Sequence, residues 1–138
     1  MIIVSACLVG INSQYDGKNH YNEEIFNLIK EGKAIPVCPE QLGGLTTPRA
    51  PSEIRIVNGE RRVFNNLGED VTKEFTKGAL EVIDLVKKMN IKKAILRKRS
   101  PSCGKGQIYD GSFTRTLVDG NGILADLLLS LGVEIENL

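Results

Sequence analysis

The stretch DVTKEFTKGALEVIDLVKKMNIKKAIL, residues 70–96, decides the fold. Apolar side chains fall at positions 71, 75, 79, 82, 83, 86 and 89, a spacing that gives a helix one apolar stripe. Lys87 and Lys88 close the pattern, where cations complement the helix dipole. Lys92 to Leu96 then forms an apolar run too short for a helix and suited to a buried strand. A long amphipathic helix that feeds directly into a buried strand predicts an α/β domain.

The same alternation extends in both directions. Met1 to Ala6 reads as a first buried strand and ends at Cys7. Asn22 offers an N-cap, Glu23 and Glu24 suit the first helical turn, and Gly32 suits the C-terminal cap. Lys33 to Val37 reads as a second strand. Cys38 to Glu53 carries Pro39, Pro48, Pro51 and Gly43-Gly44, which predicts a long loop of fixed shape. Ile54 to Val57, the turn Asn58-Gly59 and the return arm Val63-Phe64 predict an inserted β-hairpin. Beyond Leu96, a polar loop runs from Arg97 to Gly106, a further loop passes through Tyr109-Asp110-Gly111, and Ile123 to Leu131 reads as a helix. Gly132 precedes a last strand over Val133 to Ile135. The order predicts one layered domain over residues 1–138, with a mostly parallel sheet flanked by helices.

With 138 residues, a core needs no disulfide staples. Eighteen Lys+Arg against 17 Asp+Glu give a formal charge of +1, which removes whole-surface attraction to nucleic acid or membrane. The cations are nevertheless uneven. Lys87, Lys88, Lys92, Lys93, Arg97, Lys98, Arg99 and Lys105 lie in a segment without a carboxylate. The opening residues lack a cationic leader with a long apolar core, so a cytoplasmic, non-membrane protein is expected. Three cysteines are an odd number, which agrees with a reducing compartment.

Each cysteine follows a predicted strand: Cys7 the first, Cys38 the second, and Cys103 the third at a few residues' distance. Loops at the carboxyl ends of parallel strands share one edge of the sheet, so the three thiols can meet. Two readings stand side by side. Each Cys can be a small buried hydrophobe, or the three can ligate zinc or an iron–sulfur cluster. No CxxC pair marks the site, and the only histidine, His20, lies in a polar stretch where solvation is its ordinary fate. A four-iron cluster on three cysteines leaves one iron open to a soft sulfur ligand.

Several motifs carry a resemblance: Ser5-Ala6-Cys7-Leu8-Val9-Gly10, Tyr15-Asp16-Gly17, Cys38-Pro39-Glu40-Gln41-Leu42-Gly43-Gly44-Leu45, Pro48-Arg49-Ala50-Pro51-Ser52-Glu53 and Ser100-Pro101-Ser102-Cys103-Gly104. Tyr109-Asp110-Gly111-Ser112-Phe113 and Gly120-Asn121-Gly122-Ile123 extend it over nearly the whole chain. Together they resemble the DUF523 family, which includes the thiouracil desulfidases. The resemblance implies a [4Fe-4S] cluster on Cys7, Cys38 and Cys103, a catalytic carboxylate at Glu40 and a supporting hydroxyl at Ser102. It implies hydrolytic, non-redox desulfuration of a thiolated pyrimidine to the oxo base and hydrogen sulfide. The sequence departs from the family pattern at Gln14, where an arginine often stands, and at Arg97, where lysine is usual.

Physical roles can be assigned beside the resemblance. Glu40, two residues after a cysteine, is placed to take a proton from water; its alternative is a partner of Arg49. Ser102 is placed to orient that water or bond a cluster sulfide, or else it simply forms a turn. Arg49 and Glu53 suit an ion pair bracing their loop, while Tyr15, Asp16 and Asp110 suit turns. Arg97, Lys98, Arg99 and Lys105 flank Cys103 and suit an anionic cluster or a nucleotide phosphate. The expected partner is a small thiolated pyrimidine or its nucleotide, more than an extended nucleic acid. The rival class is a noncatalytic metal- or cluster-binding accessory domain.

Overall fold

The computed structural model describes residues 1–138. In chain order its elements are β1 (Ile2–Ser5), a 3-10 turn (Ala6–Val9), α1 (Glu23–Lys30), β2 (Ala34–Val37), α2 (Pro39–Leu42), β3 (Ser52–Val57) and β4 (Glu60–Asn65). Then come α3 (Thr72–Met89), β5 (Lys93–Leu96), β6 (Gln107–Tyr109), β7 (Leu117–Asp119), α4 (Ile123–Ser130) and β8 (Glu134–Asn137). The main sheet has four parallel strands in the order β2-β1-β5-β8.

Burial on both faces explains why β1, β2 and β5 read as largely apolar runs, whereas β8 at the edge of the sheet alternates, with Glu134 exposed and Ile135 buried. Ile3, Ala94 and Leu96 join the cluster made with Ala79, Val82, Val86, Leu124 and Leu128 of α3 and α4. Val4 and Ile95 point the other way, into a cluster with Leu8 and Ile25 under α1. The chain leaves β1 through α1 to reach β2 on one side, and returns through α3 to β5 on the other. That reversal opens a crevice at the carboxyl ends of β1 and β5, the place where open α/β sheets bind ligands.

The local signals agree with the structure at most elements. The Asn22 side chain accepts from the Ile25 N–H at 3.2 Å and so caps α1. Asn58 and Gly59, at φ 51° and 79°, make the tight turn between β3 and β4, the left-handed pair that a two-residue hairpin requires. Other segments differ, the last strand among them, which runs Glu134–Asn137 rather than Val133 to Ile135. The Cys38 to Glu53 segment is not loop throughout, because α2 interrupts it and β3 already begins at Ser52. The segment after Gly106 carries a second hairpin, β6 with β7. Each of its strands has three residues and only Ile108 among them is buried, too short a pattern to read by alternation.

Asp70 ties the first hairpin to α3. Its carboxylate accepts from the Thr72 N–H at 2.9 Å and from Arg62 at 2.8 and 3.0 Å, while Thr72 Oγ1 accepts from the Val63 N–H at 2.8 Å. The bonds from Thr72, then Arg62, lower its pKa from 3.8 to about 2. A depressed carboxylate contributes stability that is present above its unfolded value and is lost as pH falls through its folded one. Asp70→Ala is therefore expected to cost about 1 kcal/mol at neutral pH, discounted for exposure. Denaturant midpoints should show that difference shrinking as pH drops from 3.8 toward about 2.

Candidate active site

Cys7 lies in the 3-10 turn after β1, Cys38 sits between β2 and α2, and Cys103 lies in the loop after β5. All three line one cleft of about 640 Å³ at the switch point of the sheet. Cys7 and Cys103 are buried and Cys38 is half-buried. Burial pushes all three thiols up, Cys103 to about 12. Against burial, Gln14 and Arg97 favour the Cys7 thiolate, the backbone of Gln41 that of Cys38, and the Ser5 and Ser102 hydroxyls that of Cys103. The Cys38 charge raises both of the others. The three sulfurs are nevertheless not gathered as ligands of one ion. A single zinc at about 2.3 Å from each sulfur would draw its thiolates to within roughly 4 Å of one another.

His20 is not available as a fourth ligand in this arrangement. Its ring is held between the Gln14 amide and Arg97, whose Nη2 lies 3.0 Å from His20 Nε2. Arg97 also gives its backbone N–H to Ser5 Oγ at 2.8 Å and its Nη1 to the Leu138 carbonyl at 3.1 Å.

Glu40 enters the cleft from the first turn of α2, next to Cys38. Its side chain is 17% exposed, and Oε1 lies 3.6 Å from Arg49 Nε. Arg49 is anchored elsewhere, donating to Thr47 Oγ1 and the Ser13 carbonyl at 2.8 Å each. Its buried Nε–H has no hydrogen-bond partner. Burial lifts the Glu40 carboxyl above the usual range, opposed by Arg49 and by the Ser102 hydroxyl. The expected pairing of Arg49 with Glu53 is thus replaced: Arg49 faces Glu40, and Glu53 accepts from the Gly111 and Phe113 N–H groups at 3.0 and 3.1 Å.

Ser102 is fully enclosed. Its Oγ lies 3.3 Å from Glu40 Oε2, 3.7 Å from Cys103 Sγ and 3.0 Å from Ser100 Oγ. Ser100 Oγ already accepts the N–H groups of Ser102 and Cys103 at 3.1 and 3.0 Å. Its own proton is therefore free for Ser102, whose proton then goes to Glu40, giving the relay Ser100, Ser102, Glu40 one direction. Ser100 was not singled out by sequence; its only signal was its place two residues before Ser102.

Two glycines seat α2. A Cβ on Gly43 would stand 1.9 Å from the Glu74 carbonyl oxygen, and one on Gly78 would stand 1.7 Å from that of Pro39. Backbone meets backbone there, so neither position has room for a side chain. Gly78→Ala is expected to destabilise the protein by about 1–3 kcal/mol and to shift Pro39-Glu40. Thermal melts check the first.

The comparisons with known proteins bear on the whole arrangement. The model of the 2-thiouracil desulfurase family matches residues 2–137. The chain belongs to that family. A solved [4Fe-4S]-dependent thiouracil desulfidase, TudS, superposes with a TM-score of 0.89 at 40% identity, over 99% of this chain and 89% of that one. An uncharacterised Bacillus subtilis (strain 168) protein, YbbK, is 40% identical over 98% of this chain and 93% of its own length.

As in the family's solved desulfidase, an iron–sulfur cofactor is the group to test against this cleft. The donor set fits it: three soft thiols line the same cleft, and the Ser102 hydroxyl lies 3.7 Å from Cys103 Sγ. The other residues that the family motifs span divide clearly. Tyr15, Asp16, Arg97, Lys98 and Arg99 line the cleft, whereas Lys105 does not and donates to the Ile135 carbonyl at 3.2 Å. Asp16 and Asp110 close turns through the N–H groups of Lys18 and Ser112 at 3.0 and 2.9 Å.

Proposed function

We propose that this chain hydrolyses a thiolated pyrimidine such as 2-thiouracil to the oxo base and hydrogen sulfide, with Cys7, Cys38 and Cys103 holding a [4Fe-4S] cluster. The observation that carries the reading is the nearly enclosed Glu40 carboxylate in the same cleft as the three thiols. When bound, the cluster supplies an open iron position that takes the soft thiocarbonyl sulfur and leaves the attached carbon electrophilic.

Glu40 takes the proton of the attacking water. The Ser102 hydroxyl donates to one of its carboxylate oxygens, and the Arg49 guanidinium lies 3.6 Å from the other. Ser102, with no exposed surface, serves as a positioning group for Glu40. The bookkeeping closes without an electron donor: the carbon exchanges sulfur for the oxygen of water, and both protons leave with the sulfur as hydrogen sulfide. A noncatalytic cluster-binding domain has no use for a carboxylate buried beside Arg49 in an open cleft.

Lys98, Arg99 and Arg115 are exposed cations at the mouth. They suit a nucleotide of the thiolated base, and three charges suit one phosphate better than a strand. No helix is long and apolar enough to cross a membrane, and three unpaired thiols fit a reducing cytoplasm.

The test begins with protein purified anaerobically and analysed for iron, sulfide and zinc. Iron with equimolar sulfide, little zinc and hydrosulfide release from 2-thiouracil without a reductant support the proposal; a colourless zinc protein without turnover contradicts it. For the substrate form, affinity should change little with salt for the free base and shallowly for its nucleotide, near 0.7 in slope per phosphate neutralised. A steep slope with tight binding of thiolated RNA would contradict a small-ligand site.

A further inference from the structure

The loop joining β6 to β7 is more rigidly built than a connection of its length needs. Asp110 N donates to the Thr116 carbonyl at 3.0 Å and closes the loop at its base. The hydroxyls of Ser112, Thr114 and Thr116 then form a ladder, with Ser112 to Asp110 at 2.5 Å, Ser112 to Thr114 at 2.6 Å and Thr114 to Thr116 at 2.8 Å. The residues between them, Phe113 and Arg115, line the cleft. The two sides of the loop are therefore distinct, one tied to itself and one given to the site.

Phe113 and Arg115 also carry backbone strain. Their φ angles are 59° and 60°, a region that side chains rarely adopt and that bulky ones enter at a cost. At Phe113 the cost is met from the opposite hairpin. Glu53 of β3 accepts the N–H groups of both Gly111 and Phe113 on one carboxylate oxygen, and Arg55 gives its Nη2 to the Gly111 carbonyl at 3.2 Å. A Cβ on Gly111 would stand 2.7 Å from the Ile54 carbonyl oxygen, so this loop lies directly on β3. The Phe113 ring is half-buried, although the apolar cores include no contact that requires an aromatic residue there.

We infer that Phe113 is a specificity-determining residue whose ring packs on the pyrimidine, and that Glu53 is the positioning residue that holds it there. This rests on the thiopyrimidine reading of the same cleft. A flat heterocycle offers a π face whatever its substituents, and stacking on an aromatic side chain recognises that face. A backbone held in a disfavoured conformation by two hydrogen bonds keeps the ring in place before the ligand arrives, which lowers the ordering cost of binding.

The experiment uses the reconstituted holoprotein, with steady-state turnover of 2-thiouracil and equilibrium binding of the product uracil. Phe113→Ala is expected to raise KM and the Kd for uracil roughly tenfold or more, with kcat and iron content held. Phe113→Gly should weaken binding equally yet melt no lower than wild type, since glycine tolerates the left-handed backbone; a purely structural role would lower its melting temperature and spare affinity. Glu53→Ala should raise KM and speed amide hydrogen exchange at Gly111 and Phe113. Glu53→Gln, whose amide oxygen can accept the same N–H pair, should recover most of both. Unchanged KM and Kd in Phe113→Ala and Glu53→Ala would overturn the inference and leave the proposed reaction standing. A wild-type protein that binds uracil through Phe113 but releases no hydrosulfide would overturn the reaction and leave the loop's role standing.

Discussion

Cys7→Ala, Cys38→Ala and Cys103→Ala are each expected to hold little or no cluster after anaerobic reconstitution, and to release no hydrosulfide from thiouracil. The reason is geometric. The three thiols come from three strand ends that no local segment could bring together, so losing one leaves the cofactor two anchors and an opening to solvent. The effect should be largest at Cys103, whose thiol is the most buried of the three and lies 3.7 Å from Ser102 Oγ. Iron and sulfide analysis with the visible spectrum decides it; full iron content in all three variants would contradict the ligand assignment.

Glu40→Gln is expected to keep its cluster and lose about 10²- to 10⁴-fold in turnover, the usual contribution of a general base. The amide preserves the shape and can still accept from Ser102, but it cannot take a proton from water. Ser102→Ala should fall between this variant and wild type, because it removes a bond to Glu40 at 3.3 Å without removing the carboxylate. Near-normal rates for Glu40→Gln at unchanged iron content would assign the proton to another group.

The parts of this fold that were legible in the sequence are those with local causes. The α3 stripe, the Asn22 cap and the Asn58-Gly59 turn each depend on residues a few positions apart, so periodicity and turn chemistry find them. The convergence of the cysteines was legible too, since parallel strand ends share one edge whatever the loops do. What was not legible depends on distant backbone. The α2 helix has four residues and is seated by Gly43 against Gly78, where a missing side chain is the signal. Glu53 finds its partners 58 and 60 positions away, on a hairpin too short to show alternation. Its proximity to Arg49 in sequence pointed instead to an ion pair that the structure gives to Glu40.

The most direct test of the account is one anaerobic reaction of the reconstituted wild-type protein with 2-thiouracil in heavy-oxygen water, without any electron donor. Glu40 activating water beside a three-cysteine cluster requires uracil carrying one heavy oxygen and an equal amount of hydrosulfide. Uracil without the label, or hydrosulfide released only when a reductant is added, would contradict it.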